Sequence, residues 1–181
     1  MNRFAASCLT VLASAILAVP SVVHAAETSI CLTSGEFTAL ATYTLPSLIT
    51  GVGQRCAANL PPTAFLRSDG GVLAQRYAAA KPAAWPDAKA AFMKLTNGTG
   101  DEAMNAIKAM PDATQQQLVD TLITGAVAEH VPLERCASID RLLHLVSPLP
   151  PESTAEIIGL TVGLGSRIGE AHFGKIAICV Q

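Results

Sequence analysis

The stretch TSGEFTALATYTLPSLITGVGQRCA, residues 33–57, decides how this chain folds. It opens with Thr33-Ser34-Gly35-Glu36, the pattern of a capping box. The Thr33 hydroxyl accepts from the amide three residues on, and the Glu36 carboxylate reaches back. Phe37, Ala41, Leu45, Leu48, Val52 and Cys56 then recur every three or four residues, which is one apolar helical stripe. Pro46 lies inside the stripe. It removes a backbone hydrogen bond and crowds the preceding turn, so it is expected to kink the helix or to begin a second one. Gly51 and Gly53 weaken the last turns.

That reading bears on the cysteines. Residues 1–25, MNRFAASCLTVLASAILAVPSVVHA, have a positive start at Arg3, an apolar run from Phe4 to Val19, a break at Pro20 and a small-x-small end at Val23-His24-Ala25. This is the order of a secretory signal peptide. Its removal would leave 26–181 as a single domain, without Cys8. Cys31, Cys56, Cys136 and Cys179 remain, and an even set in an exported chain predicts two disulfides. No pair has redox or zinc-cluster spacing.

If residues 34–57 are one rod, Cys31 and Cys56 stand about 37 Å apart, whereas a disulfide requires Cα atoms within about 7 Å. Two connectivities then remain: Cys31–Cys179 with Cys56–Cys136, or Cys31–Cys136 with Cys56–Cys179. A chain that doubles back at Pro46 restores Cys31–Cys56.

The rest of the chain reads as further helices divided by Pro and Gly. A loop through Ser68-Asp69-Gly70-Gly71 precedes a short helix from Val72 to Ala80. Pro86 is placed at the first position of the next helix, just after Trp85. Asp101 to Met110 forms another. Pro111 opens a longer helix to about Glu129 with Leu118, Leu122, Ile123 and Ala126 on its inner face. Pro132 opens the next, closed by Ser147-Pro148-Leu149-Pro150-Pro151. From Glu152 to about Gly165, Ile157, Ile158, Leu160, Val162 and Leu164 cover nearly all sides, as in a buried helix. Gly159 and Gly163, four apart, leave room for another backbone. The tail Lys175-Ile176-Ala177-Ile178-Cys179-Val180 is the one strand candidate, and it lacks an evident partner. SLITG at Ser47–Gly51 and TLITG at Thr121–Gly125 echo each other, but their flanks do not. The expected fold is all-α: one irregular bundle of six to eight short helices around the Ile157–Leu164 helix, stapled by two disulfides.

Composition narrows the function. Without Arg3, 11 basic and 14 acidic residues leave a formal charge of −3. The aromatics are scattered and not interleaved with basic residues, so the chain lacks the footprint of a nucleic-acid binder. The apolar run Ile157–Gly165 is too short to span a bilayer, so no transmembrane segment is expected in 26–181.

The one chemical constellation is CASIDRLLH, Cys136 to His144. On a helix, Asp140 and His144 fall about 40° and 80° from Cys136. Ile139, Leu143 and Val146 occupy the other flank, which is the gradient of an ordinary amphipathic helix. Cys136 and His144 are separated by about 12 Å of rise, too far for a nucleophile and its base. Asp140 and His144 are candidate metal ligands, but the third ligand would have to come from His130 or His172. GLGSRIG at Gly163–Gly169 misses the dinucleotide fingerprint and follows no strand. Asn97-Gly98-Thr99 fits the N-glycosylation pattern. Asp101-Glu102 suits a helix start, and Glu129 and Glu134 are expected to face water.

The expected protein is exported, periplasmic or extracellular. It is not an enzyme, has no cofactor, and serves as a structural or interaction protein with a protein partner. Its alternative is a module for an apolar small molecule or lipid, and the third reading is a metal-dependent site at Asp140 and His144.

Overall fold

A computed structural model describes residues 31–96, 102–167 and 177–179. Residues 1–25 and the Asn97-Gly98-Thr99 pattern lie outside them, as do Asp101 and His172. The order is β1 (Cys31–Leu32), α1 (Ser34–Cys56), α2 (Phe65–Ser68), α3 (Gly70–Ala78), α4 (Lys81–Thr96), α5 (Glu102–Ala109), α6 (Asp112–His130), a 3-10 turn (Leu133–Arg135), α7 (Cys136–Val146), α8 (Pro151–Arg167) and β2 (Ala177–Ile178). The fold is all-α, as the sequence predicts. Among the described residues, no helix is long and apolar enough to cross a membrane.

The capping box forms. Glu36 N–H donates to Thr33 Oγ1 at 3.2 Å, and Thr33 N–H donates to Glu36 Oε2 at 2.7 Å. Lys94 of α4 adds a donor to the same carboxylate at 2.8 Å. Pro46 neither ends α1 nor starts a second helix. The chain runs through it with Thr42 to Ser47 buried among the neighbouring helices, and its own carbonyl and the next gain side-chain donors. Thr50 Oγ1 donates to the Pro46 carbonyl at 2.8 Å, and Thr124 of α6 donates to the Ser47 carbonyl at 3.4 Å. An unbroken α1 keeps Cys31 and Cys56 apart. The disulfides are Cys31–Cys179 and Cys56–Cys136, the first of the two expected connectivities.

The centre of the molecule is α1, and this corrects the expectation that the Ile157–Leu164 helix would be central. α1 packs against α3, α4, α6 and α8, and Thr42 to Ser47 are all buried. α8 lies to one side, with Thr154, Ala155 and Val162 buried while Ile157 and Leu160 face outward at 44% and 61% exposure. One apolar cluster joins Leu45, Ile49, Val52 and Cys56 of α1 to Leu66, Leu73, Tyr77, Cys136 and Ala155. A second joins Tyr43 to Trp85, Ala88 and Val119. Tyr77, fully buried, ties α3 to the corner before α8. Its hydroxyl lies 2.8 Å from Thr154 Oγ1 and 3.2 Å from the Leu149 carbonyl oxygen.

Other boundaries differ from the sequence reading for local reasons. The expected loop before residue 72 holds α2 and the first turn of α3. Pro86 lies inside α4, which already begins at Lys81. The buried face of α6 is Gln115 and Val119 with Ile123 half-buried, whereas Leu122 is exposed. A polar residue turns that face inward: Gln115 Nε2 donates to the Met110 carbonyl at 2.8 Å, closing the end of α5.

The tail has a partner after all. Cys31 and Leu32 pair in parallel with Ala177 and Ile178. The echoing pentapeptides of α1 and α6 lie beside each other, where a Cβ on Gly51 would stand 2.7 Å from the Thr124 carbonyl oxygen. At Gly159 the close neighbour is the Phe37 ring, not a backbone. The segment from Gly163 to Arg167 continues α8, so no strand precedes the glycines there.

Candidate functional site

The constellation on α7 is built from its first residue. Pro132 and the 3-10 turn deliver the chain to Cys136, which is buried and bonded to Cys56, the last residue of α1. The Cys136 sulfur is therefore not available as a nucleophile. Ile139 and Leu143 pack onto the core beside it.

Asp140 has a structural task set by α2. The residue before that four-residue helix is Ala64, which has no side-chain acceptor for the first amides. Asp140 Oδ1 supplies one from α7, accepting the Leu66 N–H at 2.7 Å. A carboxylate there satisfies an orphan donor and suits the positive helix end. His144, one turn on, stacks on the first residue of α2: the Phe65 and His144 ring centroids are 5.2 Å apart and the planes 9° from parallel.

Cys136, Asp140 and His144 thus share a face, as expected, but each serves a different neighbour. His130 does not join them, because its Nδ1 lies 2.8 Å from the Ala126 carbonyl oxygen of its own helix. Among the described residues, no group of three or more His, Cys, Asp or Glu side chains converges as a metal site would require. Glu129 and Glu134 are exposed.

Sequence reasoning missed a second polar group, where α1, α4 and α6 meet. Asp120 accepts from Ser47 Oγ at 2.9 Å through one oxygen and pairs with Lys81 through the other. The Lys81 ammonium also stands 4.4 Å over the Tyr43 ring, a cation–π contact. Tyr43 packs on Trp85 with centroids 4.9 Å apart. Trp85 Nε1 donates to Asp112 at 3.0 Å, and Lys89 pairs with the same carboxylate at 2.6 Å.

A serine, a lysine and an aspartate in contact invite a catalytic reading, and the geometry argues against it. Lys81 is held between the Asp120 carboxylate and the Tyr43 ring, so its ammonium is already engaged on both sides. Ser47 donates its proton to Asp120 and is buried. Tyr43 is held well above the usual phenol range, first by burial and then by the Asp120 carboxylate, so it stays neutral. No local motif signals this cluster, because its members are far apart in sequence and meet only through helix packing.

No family model, no curated protein and no solved structure matches the chain.

Proposed function

We propose that this chain is a non-catalytic interaction protein of an oxidising compartment, exported to the periplasm or the cell exterior. The observation that carries the reading is the use made of the chemically capable side chains. Cys136 is in a disulfide, Asp140 caps α2, His144 stacks on Phe65, and Ser47 and Lys81 are bound to one carboxylate. Cys136, bonded to Cys56, and Ser47, bound to Asp120, are in this way not free to attack a substrate. The two disulfides support the compartment, since such bonds persist where the surroundings are oxidising, and the order of residues 1–25 supports export.

Native mass spectrometry of the oxidised chain tests the reading. The expected result is a mass about 4 Da below the all-thiol value, with nothing bound. A retained metal ion would overturn it in favour of a metal-dependent site. A retained apolar molecule would overturn it in favour of a small-molecule or lipid carrier.

A further inference from the structure

The inner side of α7 is committed to the core, and its outer side is not. Leu142 and Leu145 are 57% and 67% exposed. Arg135, at the end of the 3-10 turn, and Arg141 are exposed beside them. These two arginines differ from the other cations whose side chains are described. Arg55, Arg67 and Arg76 donate to the carbonyls of Val131, Leu60 and Ser147. Lys81, Lys89 and Lys94 are paired with carboxylates, and Lys108 is also engaged. Arg135 and Arg141 make no hydrogen bond, ion pair or ring contact with described residues. Helical spacing sets them in two rows, because Arg135 precedes Leu142 by seven residues and Arg141 precedes Leu145 by four. The face therefore has a cationic end and an apolar end, together about 15 Å long.

We propose that this face of α7 docks an acidic, amphipathic helical segment of another protein. About three turns of such a segment would lay apolar residues on Leu142 and Leu145 and carboxylates on Arg135 and Arg141. The proposal rests on the non-catalytic interaction reading above and names the partner's chemistry.

Charge decides among possible occupants. A second copy meeting the same face would bring two further arginines, with Glu134 the one exposed carboxylate beside them among the described residues. An anionic membrane is a poorer fit, since surface-binding segments carry about four to eight basic residues, whereas this face has two and the whole chain is acidic at −2. The inward commitment of Ile139 and Leu143 leaves too narrow an apolar stripe for insertion. Glu134 beside Arg135 lowers the positive charge without cancelling it. A face this small gives a weak, transient complex.

The test uses the oxidised chain and a synthetic helical peptide of about 18 residues with leucines at i, i+3 and i+7 flanked by glutamates. A twin carries lysine at each glutamate position. Fluorescence anisotropy is expected to show the acidic peptide binding about tenfold more tightly than its twin. That preference should shrink when salt is raised from about 0.1 M to about 0.5 M. Backbone amide NMR shifts should map to residues 133–146. Arg135→Glu with Arg141→Glu should abolish the preference, and Arg135→Lys with Arg141→Lys should keep most of it. Both pairs should retain native helicity and both disulfides, because neither guanidinium has a partner to lose among the described residues.

Equal binding of the twins, or shifts mapping elsewhere, overturns the proposal. So does Arg-dependent binding to phosphatidylglycerol vesicles without peptide binding, or a dimer in light scattering that Leu145→Asp dissolves. None of these outcomes puts a metal or a retained ligand in the native mass spectrum, so failure here is distinguishable from failure of the parent reading.

Discussion

α1 and α8 reverse the roles their compositions suggest. α8 is apolar on nearly every side, yet Ile157 and Leu160 face outward. α1 carries Thr42, Tyr43, Thr44 and Ser47 in its middle, and all four are buried. Hydropathy ranks side chains, whereas centrality depends on how many neighbours a helix can reach. At 23 residues, α1 is long enough to meet α3, α4, α6 and α8. Two of its four buried hydroxyls, Thr42 Oγ1 and that of Tyr43, have no hydrogen-bond partner among the described residues. The other two do: Thr44 Oγ1 donates to the Ala41 carbonyl at 3.2 Å. Ser47 uses Asp120 instead. α1 is central although only two of its four buried hydroxyls are satisfied, so the burial of Leu45, Ile49 and Val52 has to offset the cost of the other two.

The largest expected effect breaks the comparison at the cysteines. Cys31–Cys179 ties the start of α1 to the strand after α8, and Cys56–Cys136 ties the end of α1 to α7. Sequence separations of 148 and 80 favour the first in the chain-entropy model, by only about half a kcal/mol. Packing favours the second, because Cys56 and Cys136 are buried in the main apolar cluster and Cys31 and Cys179 are only half-buried. Replacing Cys56 and Cys136 together by alanine should cost about 4 kcal/mol, plus the loss of core contacts. Replacing Cys31 and Cys179 should cost less. Urea midpoints of the two double variants measure the difference. A larger loss at Cys31 and Cys179 would place the stability of the molecule at its ends and not at α1.

Next come two glycines, one on each helix. A Cβ on Gly51 would meet the Thr124 carbonyl oxygen at 2.7 Å and Val127 Cβ at 3.0 Å, and the backbone oxygen cannot move alone. Gly51→Ala should therefore destabilise by about 1–2 kcal/mol, with overpacking outweighing the ~1 kcal/mol helix-propensity gain. On α8, a Cβ on Gly159 meets only the Phe37 ring, at 3.0 Å. That ring is half-buried and can swing aside, so Gly159→Ala should be neutral or stabilising by up to about 1 kcal/mol. Thermal melts of the two variants give the sign in each case.

These contrasts also mark how far the sequence could be read. The Thr33–Glu36 box, the helix after it and the all-α class follow from local pattern, and the rod geometry of residues 34–57 narrowed the disulfides to the right pair of alternatives. The face of Cys136, Asp140 and His144 was legible from helical periodicity. Its use was not, because the Leu66 amide and the Phe65 ring belong to a four-residue helix too short to leave a periodic signal. The Ser47–Lys81–Asp120 group was invisible for a related reason: it exists only because α1, α4 and α6 pack together. The strand partner of the tail was hidden because two residues cannot alternate.

A smaller effect concerns the ends that α1 and α6 present to acid. Glu36 is lowered from 4.5, first by its hydrogen bond to Lys94 and then by the Thr33 amide. Asp112 is lowered from 3.8, first by Lys89 and then by Trp85. In each case the unfolded chain binds its proton first. The contribution is complete above the unfolded values and is lost as pH falls below about 4.5, through the lower folded values. Both groups are on the surface, so the loss should be modest. Urea midpoints between neutral pH and pH ~3 should fall less for Lys94→Met and Lys89→Met than for the parent chain. Equal acid sensitivity would show that neither pair matters to stability.

The smallest expected effect is the sharpest test of α8's peripheral place. Leu160 is 61% exposed, on the side opposite Thr154 and Ala155 that meets the core. A leucine already in water has little transfer free energy to lose, so Leu160→Ser should change stability by no more than about 0.5 kcal/mol, apart from a small helix-propensity cost. A buried leucine in the same helix would cost about 2–5 kcal/mol on truncation. The two cases differ by several times the uncertainty of a denaturation midpoint. A loss of that size at Leu160 would mean the outer side of α8 is covered, restoring the composition-based ranking of the two helices. A loss within about 0.5 kcal/mol would leave α1 as the element around which the others are arranged, and α8 as an apolar helix held by one side only.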